Sequence, residues 1–209
     1  MAALGRLNGR RIPVFVHPDM FVWRGAREES GKVHFTPHTF VQKQLEDAGV
    51  DVILNTEACP IFDSALYVLG EIPRRTDFEA GVPNQVRRDG NEWVADPWVW
   101  DDRSLVFSVR GEGLVVVTGC AHAGLINTLL HAREVAGETR LRAVIGGFHL
   151  FGSRYEPHIP RVVNELRALE PDLLAPAHCT GKRGEIALVE ALPAATVPSG
   201  ALLRIRIPA

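Results

Sequence analysis

The stretch "VVVTGCAHAGLINTLL", residues 115–130, decides the fold. Its first four residues suit a buried strand, and its closing run, with Leu125 and Leu129 four apart, suits the apolar face of a helix. Between them Gly119, Cys120, Ala121, His122, Ala123 and Gly124 must carry a sharp strand-to-helix bend. Leu125, Leu129, Ala132 and Ala136 extend that helical face, and "RAVIGGFHL" (142–150) reads as the next strand. Ile159, Val162, Val163, Leu166 and Leu169 mark a second helix. "PDLLAPAHCTG" (171–181) is a third strand and bend, "GEIALVEAL" (184–192) a short helix, and "ALLRIRI" (201–207) a closing strand.

Toward the N-terminus, "SLVFSVRGEGLVVVTG" (104–119) predicts a hairpin turning at Arg110–Gly113, where glycine tolerates the positive φ of a tight turn. "IPVFVH" (12–17), "DVILN" (51–55) and "SALYVLGEIPR" (64–74) read as strands. "TPHTFVQKQLEDAGV" (36–50) reads as a helix, through Phe40, Val41, Leu45 and Ala48. Residues 74–103 are polar, rich in Trp and Pro and weakly periodic, which predicts a loop or crossover. Hairpins mixed with strand-helix units predict an α/β fold with a mixed sheet covered by helices, in one domain over residues 1–209.

The totals exclude some partners. Lys+Arg of 23 against Asp+Glu of 25 gives a net charge of −2 with no long basic run, so nucleic acid is not an expected partner. No apolar run reaches 18 residues and "MAALGRLNGRR" lacks a signal-peptide core, so no membrane partner is expected and the cytoplasm is the default location. Cys59, Cys120 and Cys179 form an odd set without short repeated spacing, which fits free thiols in a reducing compartment.

After the hairpin, three strand ends each carry one histidine: His122, His149 and His178, separated by 27 and 29 residues. Neighbouring strands lie ~5 Å apart, so equivalent ends can bring three imidazoles to one point. Small residues flank each of them, as a crowded metal site requires. Imidazole is a common ligand for zinc and related divalent ions, and a catalytic site keeps a position open for water or substrate. A lone strand-end histidine is more often only hydrogen-bonded; the case rests on all three occurring at corresponding places. Cys120 and Cys179 stand beside histidines and read either as sulfur ligands or nucleophiles, or as inert thiols. Adjacent residues of an extended chain face opposite ways, which separates Cys179 from His178 while the strand persists. His17 precedes Asp19 in "VFVHPDMF", a pocket-lining histidine or a plain turn. Asp101 and Asp102 are candidates to orient a metal-bound imidazole, or a solvated strand start. Trp93, Trp98 and Trp100 read as a lid over substrate, or as packing that ties the long loop down. His131 reads as a surface residue, and His34, His38 and His158 as residues of polar loops or helix starts.

"GLVVVTGCAHAGLINTL", "AVIGGFHL" and "LLAPAHCTG", in this order, resemble the C-terminal half of the metallo-β-lactamase superfamily. With "PVFVHPDMF", "GEIPRRTDFE" and "DDRSLVF" the likeness covers roughly residues 11–209 and is nearest to the branch of archaeal dihydropterin (ribofuranosyl)aminobenzene phosphate synthases. The resemblance implies a four-layer αββα sandwich with metal at one edge between two sheets. It matches His122 and His178 to metal histidines, and puts His149 near the place of a bridging aspartate, open to ligand, substrate-contact and supporting roles. The superfamily's His-x-His-x-Asp-His string occurs nowhere in this sequence. In the branch it lies shortly before the counterpart of "LGRLNGRRIPVFVHPD", so the expectation is an N-terminally truncated domain, with a homodimer as one way to cover an unpaired sheet edge.

The leading functional expectation is a metal-dependent hydrolase or pterin-type group transferase acting on a small molecule, pterin-like or phosphorylated. Its cofactor is a divalent cation, zinc first, with manganese or iron as alternatives. His122, His149 and His178 are its ligands, and His17, Asp102, Cys120 and Cys179 contact substrate or support the ligands. The alternative is a catalytically degenerate remnant that serves as a binding or interaction module. A third reading is a thiol enzyme built on Cys120 or Cys179.

Overall fold

A computed structural model describes residues 11–36, 41–200 and 203–207. In chain order its elements are β1 (Ile12–Val16), a 3₁₀ turn (Pro18–Phe21), β2 (Arg24–Arg27), β3 (Val33–Thr36), α1 (Gln42–Asp47) and β4 (Val50–Leu54). Then come β5 (Cys59–Ile61), β6 (Leu66–Val68), β7 (Gln85–Asp89), β8 (Glu92–Ala95), β9 (Ser104–Val109) and β10 (Gly113–Thr118). The last are α2 (Leu125–Ala136), β11 (Leu141–Gly147), α3 (Ile159–Leu169), β12 (Leu174–Ala177) and α4 (Gly181–Ala191). Contacts divide the chain into two compact units, Met1–Glu57 with Gly81–Asp101, and Ala58–Ala80 with Asp102–Ala209.

The second unit carries a six-stranded mixed sheet in the order β12-β11-β10-β9-β6-β5. Strands β10, β11 and β12 run parallel, so their C-terminal ends lie along one edge; β9 pairs antiparallel to β10. Right-handed crossovers are the rule for such parallel units, and α2 and α3 make the two connections here. Leu114 and Val116 of β10 pack with Leu125, Ile126 and Leu129 of α2, Val162 and Leu166 of α3 and Leu188 of α4 in one buried cluster. Phe148, just beyond β11, belongs to it and is 1% exposed, which anchors the chain immediately before His149.

The first unit holds parallel β1 and β4, and an antiparallel sheet β3-β2-β7-β8. Arg24 on β2 is held inside it by Asp96 Oδ2 and Asp101 Oδ2, both at 2.7 Å. Asp101 thus gives one carboxylate oxygen to Arg24, while its Oδ1 is buried without a hydrogen-bond partner. Trp98 and Trp100 meet at a tilt of 38° with ring centroids 6.2 Å apart, while the ring centroids of Trp93 and Phe35 on β3 are 6.4 Å apart.

Several expectations change. Residues 74–103 are not one loop, because they contain the hairpin β7–β8. Asp89 pairs with Glu92 across the two-residue loop Gly90-Asn91, where Gly90 has φ 55°, and Gly-Asn is a dipeptide suited to such a loop. The helix expected over 36–50 is the six-residue α1; His38 and Phe40 lie outside the described residues. The strand expected at 64–74 is only β6, and residues 203–207 carry no strand, while 201–202 lie outside the described residues. Hairpin β9–β10 and strands β1, β4, β11 and β12 fall where the pattern predicts them. No helix among the described residues is long and apolar enough to cross a membrane.

Candidate metal centre

The three parallel strands end on three bends, and each bend places a histidine in the second unit. After β10, Ala121 adopts φ 57°, a conformation an L side chain enters only at a cost of ~1–3 kcal/mol. Gly119, by contrast, has no positive φ, and a Cβ there would meet only Arg103 O, at an ordinary contact distance of 3.9 Å. The bend thus has positive φ at Ala121 and at Gly124, but not at Gly119. Gly124 is required for another reason. At φ 95° its missing Cβ would stand 2.2 Å from Glu79 Cδ, and Glu79 accepts hydrogen bonds from the backbone N–H of Ile126 and Asn127, both at 2.8 Å. That carboxylate satisfies two of the orphan donors in the first turn of α2, whose first residue, Leu125, stands three after His122. Burial pushes its carboxyl above the ordinary carboxylate range, despite those amides.

His149 follows β11 with φ 50°, and His178 follows β12 with φ 49°. Gly146 and Gly147 allow the strands to crowd: a Cβ on the former would meet Thr118 O at 2.2 Å, and on the latter Gly119 O at 2.5 Å. The Cys179 carbonyl accepts from the N–H of Leu150 and Phe151, each at 3.1 Å, and Thr180 Oγ1 accepts from Phe148 N–H at 3.1 Å. These bonds tie the β11 and β12 bends to one another.

His122 Nδ1 lies 3.3 Å from Asp102 Oδ1, and the other carboxylate oxygen accepts from Ala123 N–H at 3.3 Å. An ionised carboxylate only accepts, so Nδ1 carries the proton and Nε2 is left with its lone pair. Asp102 is 6% exposed at its side chain. The rings of His122 and His149 meet edge to face with centroids 4.6 Å apart, and Tyr155 packs against the other side of His149 at 4.2 Å. Burial, then the neighbouring His122, pushes the His149 imidazole down to about 4, so it is neutral and able to ligate at neutral pH. His149 Nε2 is buried without a hydrogen-bond partner. Such an orphan costs ~1–3 kcal/mol unless something else occupies it. A cation would meet that need, since imidazole nitrogen is a donor it accepts; among the described residues, though, His122, His149 and His178 do not form a group whose donor atoms all lie within 4.8 Å of one another.

His178 turns to the third side. Its Nε2 lies 3.1 Å from Cys120 Sγ, and Cys179 Sγ lies 3.3 Å from the Cys120 carbonyl. Cys120, His178 and Cys179 are the one set of three among the described residues whose donor atoms all lie within 4.8 Å of one another. The expectation that Cys179 and His178 face apart depended on a continuing strand; β12 ends at Ala177, and the left-handed turn at His178 brings both side chains to the same place. Burial pushes the Cys120 thiol up to about 12 and raises Cys179 as well. The edge therefore carries an imidazole pair, His122 with His149, and a sulfur–imidazole group around His178.

His17, in the first unit, is 4% exposed, and its Nδ1 accepts from Asp19 N–H at 3.0 Å, capping the 3₁₀ turn. This is the turn role weighed for His-Pro-Asp. His131 is half-buried rather than a surface residue, 3.5 Å from Glu134, and His34 lies on β3 against Glu28. Sequence reasoning gave Glu79 and Tyr155 no part. Glu79 stands within "GEIPRRTDFE", but nothing local announces that it caps a helix 47 residues away.

No family model matches the chain. It is similar to the 7,8-dihydropterin-6-methyl-4-(β-D-ribofuranosyl)-aminobenzene-5′-phosphate synthase of Methanocaldococcus jannaschii, with 27% identity over 183 residues. That alignment takes in 87% of this chain, and the chain spans about 61% of the length of that relative. Its structure is similar to that of a metal-dependent hydrolase of the β-lactamase superfamily, with TM-score 0.78, 23% identity, and coverage of 95% of this chain and 72% of that one. The resemblance first carried by the strand-end motifs is thus matched in both sequence and coordinates, and the chain has the metallo-β-lactamase fold.

Proposed function

We propose that the chain is a metal-dependent metallo-β-lactamase-fold protein that acts on a small molecule, pterin-like or phosphorylated, by hydrolysis or group transfer. The observation that carries this reading is His149, whose buried Nε2 lacks a protein partner while its ring stands beside His122. The name of the archaeal relative supports the substrate class and that of the structural neighbour supports the metal. His122, His149 and His178 would hold the cation, zinc foremost, with manganese or iron as alternatives; Cys120 and Cys179 stand beside His178. When bound, such a cation lowers the pKa of a ligated water and polarises a phosphoryl or carbonyl oxygen. Asp102 holds the His122 ring in the tautomer that leaves Nε2 free, and Tyr155 packs the His149 ring in place. His178, exposed at the rim, leaves the site open to substrate.

Elemental analysis of protein purified without chelator, followed by zinc and manganese titration, tests the reading. At least one equivalent of cation is expected, with the uptake of manganese, which sulfur donors do not favour, lost in His122→Ala/His149→Ala; no bound ion and no uptake would remove it. His122, His149 and His178 do not gather into one donor group among the described residues, which favours a second reading, a binding module without turnover. Metal uptake without turnover of phosphorylated pterins would favour that module.

A further inference from the structure

At the rim, two cysteines join His178 in a donor group that extends beyond the three imidazoles. Cys120 Sγ, Cys179 Sγ and a ring nitrogen of His178 lie within 4.8 Å of one another, and none of the three is held in a disulfide. The group is built by the backbone. Left-handed turns at Ala121 and His178 bring residues from the ends of β10 and β12 together across the end of β11. Gly147 on that middle strand makes room, since a Cβ there would stand 2.8 Å from Cys179 Sγ and 3.1 Å from Cys120 Cα.

We propose that Cys120, Cys179 and His178 form a thiolate–imidazole site for a thiophilic d¹⁰ cation, zinc or cadmium, distinct from the His122–His149 pair. Two sulfurs and one nitrogen are a donor set that zinc accepts at ~2.3 Å and ~2.0–2.1 Å, with a fourth position left for water or substrate. Sulfurs on one tetrahedral ion stand roughly 3.8 Å apart, so side-chain rotation of the order of 1 Å completes the site. Each thiol releases its proton to solvent as it ligates, and two thiolates balance the charge of a divalent ion. Hard cations such as magnesium gain little from sulfur, which sets the selectivity. The inference stands whether or not His122 and His149 hold a cation, because it shares only His178 with that reading.

Cadmium titration of the reduced full chain, followed by the ultraviolet sulfur-to-cadmium charge-transfer band, tests it. The wild-type protein should show a band that saturates at one equivalent. His122→Ala/His149→Ala should keep the band even where it abolishes uptake at the imidazole pair, so the two sites are read separately. Cys120→Ser/Cys179→Ser should lose it. A second measurement needs no variant: cadmium should protect Cys120 and Cys179, but not Cys59, from alkylation, as read by peptide mapping. Absence of the band from folded wild-type protein, its persistence in the double serine variant, or equal alkylation of all three cysteines with and without cadmium would overturn the proposal.

Discussion

Asp102 acts on the site through one ring. Its two oxygens take the His122 Nδ1–H and the Ala123 N–H, so they set both the tautomer of the imidazole and the course of the bend that carries it. Asp102→Ala is expected to weaken cation binding about 10–100-fold, the usual cost of losing a partner of a ligating histidine. Calorimetric titration against wild-type protein checks this; unchanged affinity in a folded variant would leave Asp102 a purely structural part. Gly147 is the matching steric case. Gly147→Ala adds a methyl 2.5 Å from the Gly119 carbonyl and 2.8 Å from Cys179 Sγ. Urea unfolding should show a loss of roughly 1–3 kcal/mol, the cost of overpacking a well-filled site. At this scale the sequence put His122, His149 and His178 just past strand ends and Asp102 before the hairpin, where the structure has them, since residue type and position relative to strand ends are local properties. It misjudged the setting of Cys179, because whether β12 continues through residue 178 depends on a backbone turn that no side chain there announces.

Among the elements, α2 is the one whose placement the site depends on. Its N-terminus is closed by a carboxylate from outside the helix, and Asn127 within it accepts from the N–H of Arg75 and Thr76 at 2.8 and 2.9 Å. Helix and preceding loop therefore hold each other. Glu79→Ala should cost about 0.5–2 kcal/mol, in the range of a lost helix cap. Thermal denaturation measures it, and a Tm within error of wild type would mean that water replaces the carboxylate without penalty. Leu129, fully buried on the inner face of the same helix, sets a larger scale. Leu129→Ala should cost ~2–5 kcal/mol by chemical denaturation, through lost burial and a cavity. The 3.6-residue period in "LINTLLHAREVA" made the helix and its inner face legible. The capping partner was not, because Glu79 lies 47 residues before Ile126 and is brought there by the fold.

At the scale of the whole molecule the chain is two compact units, and each has its own internal tie. In the first unit the guanidinium of Arg24 stands between Asp96 and Asp101 with its side chain 12% exposed. Arg24→Ala leaves two carboxylates without their cation, a loss of roughly 3–5 kcal/mol for a buried pair broken on one side. Hydrogen exchange should show the largest gain in β2, β7 and β8; unchanged protection there would mean that the carboxylates are solvated on release. The sequence by itself determined the parallel strands β10, β11 and β12, their helices, the hairpin feeding them and the histidine at each strand end, because periodicity and turn residues act over a few positions. Only the tertiary structure decided the pairing of donors. Strand order and the left-handed residues Ala121, His149 and His178 set His122 against His149 and turned His178 toward the two sulfurs. Side-chain direction at a strand end follows from one backbone torsion, and that torsion is fixed by hydrogen bonds and close contacts with chain segments about 30 to 60 residues away in sequence.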